Sequence, residues 1–140
     1  MKKLQNGVTL IELLITVMII GILTAIAVPS YRQYVIRANR SDAKVALTGA
    51  ATTLERCYTR YSKYKSDDCA TGLPKYTDAG TYQIKFVTGE PTDTTFVVEA
   101  VPQQGQAKDT RCGTFRLNQR NKKTVSASAD DARVNECWGR

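Results

Sequence analysis

Apolar residues follow three different patterns along this chain. Over residues 8–28 they run almost without a break, VTLIELLITVMIIGILTAIAV. As a helix these 21 residues would span roughly 31 Å at about 1.5 Å per residue, against a hydrocarbon core of about 30 Å, so the run can cross a bilayer once. From Tyr31 onward the apolar positions spread out, and over 47–61 they follow i, i+3, i+4 steps, which predicts one apolar stripe along a helix. Ala43, Ala46, Ala50 and Ala51 keep that stripe narrow. A single helix is therefore expected over about 8–61.

After Lys65 the period changes. Residues 82–87 (YQIKFV) alternate, residues 94–101 (TTFVVEAV) are β-branched and apolar, and TGEPTD between them supplies turn residues, so a hairpin is expected. A third strand is expected over 113–117 (GTFRL), after the loop PQQGQAKDT. Strands of this kind need cover on one face, and the stripe over 47–61 is the candidate to provide it. The expected fold class is α+β: one long N-terminal helix, half transmembrane and half amphipathic, packed on a small antiparallel sheet.

Composition narrows the function. The chain has 140 residues, 42% of them hydrophobic and 24% charged, which fits one domain and argues against a disordered tail, a multidomain enzyme or a polytopic membrane protein. There are 20 Lys and Arg against 13 Asp and Glu, a formal charge of +7. Residues 30–65 hold eight bases (Arg32, Arg37, Arg40, Lys44, Arg56, Arg60, Lys63, Lys65) against Asp42 and Glu55, whereas residues 66–140 hold ten of each sign. The excess thus lies just after the apolar run. His is absent, which removes the commonest general base and metal ligand, and there is no glycine-rich phosphate loop. A non-catalytic protein without metal or cofactor is expected.

Three readings of the N-terminal segment compete. Ala25-Ile26-Ala27 has the small-x-small form of a secretory cleavage site, but the apolar stretch before it is long for a signal peptide and contains a carboxylate. An ordinary uncleaved anchor is the second reading. The third takes the basic leader MKKLQNG together with the start of the apolar run, which across their junction reads NGVTLIELL. This stretch resembles the type IV prepilin family: a short basic leader ending in Gly, cleavage before an apolar residue, then Thr-Leu-x-Glu and a helical apolar run. The resemblance implies that a dedicated peptidase cuts on the cytoplasmic side after Gly7 and methylates the new amino terminus at Val8. One departure is Val8 itself, where the family most often has Phe.

Glu12 has a physical meaning apart from that resemblance. A carboxylate at the centre of a membrane helix costs about 2.5 to 3.5 kcal/mol on insertion scales, and less near the boundary. It can snorkel to the interface. In a bundle of apolar helices, however, an unpaired charge is expensive, and the resemblance supplies a partner, the amino-terminal nitrogen of a neighbouring subunit's Val8. Gly21 and Pro29 are the helix-weakening positions, and the resemblance implies unwinding between such residues in a filament, a gentle kink being the alternative. Counting bases near the span, Lys2 and Lys3 lose to Arg32, Arg37 and Arg40, so charge alone would place the leader outside. The motif places it inside.

The cysteines agree with the motif. Cys57, Cys69, Cys112 and Cys137 form no CxxC pair and fit no zinc spacing. Three pairings are possible; the most economical joins Cys57 to Cys69 and Cys112 to Cys137, with free buried thiols as the alternative. Disulfides imply an oxidising compartment, hence export of residues 30–140. RCGTFRLNQRNKK and VNECWGR, with TLERCYTRY at the helix end, are similar to the corresponding regions of PilE-like minor pilins. The resemblance is strongest at the two ends and weak over 66–110.

The expected organisation is a leader over 1–7, a transmembrane and assembly helix over 8–29, and a periplasmic pilin domain over 30–140. The protein is expected first in the inner membrane and then in the pilus at the cell surface. By resemblance its partners are other pilin subunits, the prepilin peptidase and an ATP-driven assembly platform, and its role is that of a minor pilin supporting pilus biogenesis and twitching motility. Two other roles fit the sequence. The basic segment suggests a DNA-binding pilin for natural transformation, against which much of that helix is expected to be buried by the sheet or by neighbouring subunits, and the amino terminus is shared with type II secretion pseudopilins, which commonly lack this disulfide pattern.

Overall fold

A computed structural model of the chain describes residues 7–66, 69, 72–128 and 130–139; the expected leader, apart from Gly7, lies outside the described residues. Helix α1, Leu10–Tyr61, passes unbroken through Gly21 and Pro29. The chain forms two compact units, Met1–Val35 and Ile36–Arg140.

In the first unit, every described residue from Gly7 to Tyr34 is exposed. The large apolar side chains of this stretch, Leu14, Ile15 and Ile19 among them, make no core. Two of its hydroxyls are satisfied within the helix: Thr16 Oγ1 donates to Leu13 O and Thr24 Oγ1 to Ile20 O.

In the second unit α1 turns amphipathic. Ala43, Leu47, Ala50, Leu54 and Cys57 are buried, and the small alanines let the helix lie close to the sheet. Among the described residues five strands, β1 Lys75–Tyr76, β2 Tyr82–Phe86, β3 Val97–Pro102, β4 Phe115–Asn118 and β5 Lys123–Val125, form one antiparallel meander in that order. Alternation sends Tyr82, Ile84, Val98, Ala100, Phe115 and Leu117 to the helix and Lys85, Glu99 and Arg116 to the outer face, where Glu99 bridges the two cations. A 3-10 turn, Gln104–Lys108, follows β3, and helix α2, Asp131–Trp138, follows β5. Trp138 packs edge-on against Phe115 and donates its indole N–H to Thr124 O at the sheet edge.

Two expected strands start late. Residues 94–96 do not pair, because Thr92 Oγ1 accepts from the backbone N–H of Thr94 and Thr95 while Thr95 Oγ1 donates to the Glu90 carboxylate. Gly113 is not in a strand either. Its φ of +64° and the contact a Cβ there would make with Ser126 Oγ require glycine at a turn that delivers the chain into β4. Strands β1 and β5, the 3-10 turn and α2 were not expected from the sequence.

Candidate functional site

The N-terminal element is a helix with a built start. Gly7 and Val8 precede it outside the helix and are exposed. Thr9 Oγ1 then accepts the backbone N–H of Glu12, so Thr9-x-x-Glu12 has the spacing of a capping box and Glu12 sits in the first turn, where a negative charge suits the helix dipole. That spacing is visible in the sequence and gives Glu12 a second, local role that the sequence reading missed. Among the described residues no partner meets the Glu12 carboxylate, which stands exposed between Ile11 and Leu13. Gly21 faces open space, and Pro29 leaves the helix continuous.

In the second unit, disulfides join Cys57 to Cys69 and Cys112 to Cys137. The first ties the last turn of α1 to the loop after it. The second ties the turn before β4 to α2.

A buried polar knot fixes the 3-10 turn to α1. Arg40 donates through Nε and Nη2 to the two oxygens of Asp109, both at 2.7 Å, and the Asp109 side chain is only 1% exposed. Gln106 Nε2 donates to Tyr82 Oη and to Ile36 O, and Gln106 Oε1 accepts from Asn39 Nδ2. Burial opposes ionisation of Asp109, but the Arg40 guanidinium and the backbone N–H groups of Cys112 and Arg111 outweigh it and hold the carboxyl below its usual range. Burial also pushes the Tyr82 phenol up to about 12. This knot is structural chemistry. It carries no open position for a substrate.

On the other side of α1 lies an open groove of about 740 Å³, lined by Lys44, Val45, Thr52, Arg56, Lys123 and Trp138 among others, with three bases and no acid. Lys44 Nζ donates to Trp138 O at 3.1 Å and Lys123 Nζ lies over the Trp138 ring at 5.4 Å from its centre. Burial, then the like charges of Arg40 and Lys123, push the Lys44 ammonium down. Thr48 and Thr52 return their hydroxyls to Lys44 O and Thr48 O. Beside the groove the β4–β5 turn is held by one residue: Asn118 Oδ1 accepts the backbone N–H of Arg120 and of Lys122 at 3.0 and 2.9 Å, and Asn121 N–H donates to Asn118 O.

Comparison with known proteins decides the family. Residues 29–116 match the family profile described as type IV minor pilin ComP, DNA uptake sequence receptor, and residues 2–28 match the prokaryotic N-terminal methylation motif.

The chain belongs to the type IV pilin family.

This pilin is 32% identical over 117 residues to the fimbrial protein EcpC of Eikenella corrodens, covering 84% of the pilin and 76% of EcpC. It is 37% identical over 78 residues to a fimbrial protein of Neisseria meningitidis, covering 56% of the pilin and 46% of that protein. The pilin thus spans about half the length of several curated relatives that it matches. In structure it is similar to the non-core minor pilin PilV of Neisseria meningitidis, with a TM-score of 0.54 at 19% identity over 70% of the pilin and 93% of PilV. The long helix on an antiparallel sheet is the fold of that family, as expected from the sequence.

Proposed function

We propose that this pilin is a minor subunit of a type IV pilus, cut after Gly7, methylated at Val8, held in the inner membrane by residues 8–29 with residues 30–140 in the periplasm, and drawn into the filament through Glu12. It is a substrate of enzymes and not itself one. The observation that carries this reading is the fully exposed apolar stretch of α1 with one carboxylate near its start, lying within the N-methylation motif. Such a surface is stable only in lipid or against other apolar helices. Amino-terminal sequencing and intact mass of the protein from membranes test it. Val8 with one added methyl is expected; a start at Val28 would mean a signal peptide and a start at Met1 an uncleaved anchor.

A DNA-uptake role is the second element of the proposal, favoured by the match over 29–116 to a profile described as a DNA uptake sequence receptor. Removal of residues 1–7 takes away Lys2 and Lys3 and leaves 18 bases against 13 acids. That +5 suits a polyanion, and retention of duplex DNA by the detergent-solubilised pilin is expected to fall steeply with salt. Deletion separates the roles: loss of DNA uptake, loss of twitching, or loss of exoprotein secretion, the last being the pseudopilin outcome.

A further inference from the structure

We infer that Tyr31, Arg32 and Tyr34 form a grip for phospholipid headgroups, which holds the membrane-stored pilin at a fixed depth and draws anionic lipid around it. This rests on the reading of residues 8–29 as a membrane span.

The first observation is where the aromatic residues begin. None stands among residues 1–30, and Tyr31 comes three positions after the apolar run closes at Val28. Tyr34 follows one turn later on the same face of α1. The two side chains are in open surroundings, at 68% and 64% exposure, and their hydroxyls have no partner among the described residues. A Tyr is stable where its ring meets hydrocarbon and its hydroxyl meets water, which is the boundary of a bilayer.

Depth agrees with that placement. A hydrocarbon core of about 30 Å inside a bilayer of about 40 to 45 Å leaves about 5 to 7 Å of headgroup layer on each side. Residues 8–28 fill the core as a helix, and Tyr31, Arg32 and Tyr34 then follow Val28 by about 4.5, 6 and 9 Å of helical rise. Helical side chains lean toward the N-terminus, here the lipid side, so the Tyr34 ring reaches back into the layer.

The third observation is charge. Arg32 is exposed and in no ion pair among the described residues, whereas Arg40 is committed to Asp109. Residues 13–41 contain no acid, so the same stretch of a second copy cannot neutralise Arg32. Phosphodiesters crowd the layer in which Arg32 lies, and a guanidinium pairs well with them. A base just outside the span opposes the orientation that the motif requires; a bound anionic headgroup gives it a use there.

The test uses the full-length pilin in vesicles of phosphatidylcholine with a minority of phosphatidylglycerol. Spin-labelled lipids of each type report which is immobilised beside the protein. The wild type is expected to prefer phosphatidylglycerol about fivefold. Arg32→Gln is expected to bring that preference near parity, Arg32→Lys to keep it because a point charge still pairs with phosphate, and Lys108→Gln to keep it although the same charge is lost from the second unit. Tyr31→Ala with Tyr34→Ala is expected to keep the lipid preference while amide exchange over 30–35 speeds up about tenfold. A preference that survives Arg32→Gln, or falls equally in Lys108→Gln, overturns the lipid grip; survival together with loss of Arg32→Gln from sheared filaments gives Arg32 to a neighbouring subunit instead. Unchanged exchange in the double Tyr variant overturns the ring anchors. Failure of the span reading shows separately, as an amino terminus at Val28 or a pilin that does not float with the vesicles.

Discussion

The two parts of α1 obey one helical geometry and opposite surface rules. Up to Tyr34 every described residue is exposed, apolar or not, while from Ala43 to Cys57 the buried positions recur at alternating steps of four and three, with Ala46 and Ala51 packed against the same core. The second part has found its partner, the sheet, within the same chain. The first has none among the described residues, and its single carboxylate is a position where a wrong partner would be penalised. A complete core and an incomplete one therefore share a helix, and a substitution should harm folding in one part and assembly in the other.

Glu12→Ala is the sharpest way to break that division. It is expected to leave membrane insertion and the second unit's melting temperature unchanged while removing the pilin from sheared filaments by more than about tenfold, since an unpaired terminal amine then stays buried. Immunoblots of the membrane and filament fractions measure both. Normal incorporation would show that the apolar surface alone specifies assembly.

The next effects belong to the body. Cutting the Cys112–Cys137 crosslink with paired Cys→Ser substitutions is expected to cost about 3.5 kcal/mol by the chain-entropy relation, read in a urea titration followed by Trp138 fluorescence. Asp109→Asn is expected to cost about 3 kcal/mol, because Arg40 then stays buried without a counter-charge. The pH dependence has a definite sign. The Asp109 carboxyl is depressed below its ordinary 3.8, so its stabilisation is complete above that value and is lost as pH falls through the folded-state value. Asp109→Asn should therefore lose more stability at pH 7 than at pH 2.5, narrowing the gap that the wild type shows between them. The smallest effect returns to the first unit: Thr9→Ala removes a helix cap, is expected to cost about 1 kcal/mol, and should appear as faster amide exchange at Glu12 with no change in the body.

Legibility in the sequence depended on length and period. The helix and strands β2 and β3 could be read because each carries several repeats of its own period, and the cover of the sheet by 47–61 came from the stripe. Strands β1 and β5 have two and three residues, too few for any alternation to show. Gln106 is 3% exposed inside a stretch that reads as a polar loop, and only its partners Asn39, Tyr82 and Ile36, distant in sequence, explain the burial. For the candidate site, Glu12 stood out as a lone charge in an apolar run. The basic groove did not, since Lys123 and Trp138 are distant in sequence from Lys44 and Arg56 and only the fold brings them together.

The threonines of α1 have a consequence for hydration. Thr16, Thr24, Thr48, Thr52, Thr53 and Thr59 each return the hydroxyl proton to a carbonyl one turn earlier. Water released from these faces leaves no proton donor bare, and the methyl groups that remain uppermost are as easily covered as alanine. These rows are polar by composition yet dry by bonding, so at Thr16 and Thr24 the helix can meet a lipid tail or a neighbouring helix at little cost in dehydration.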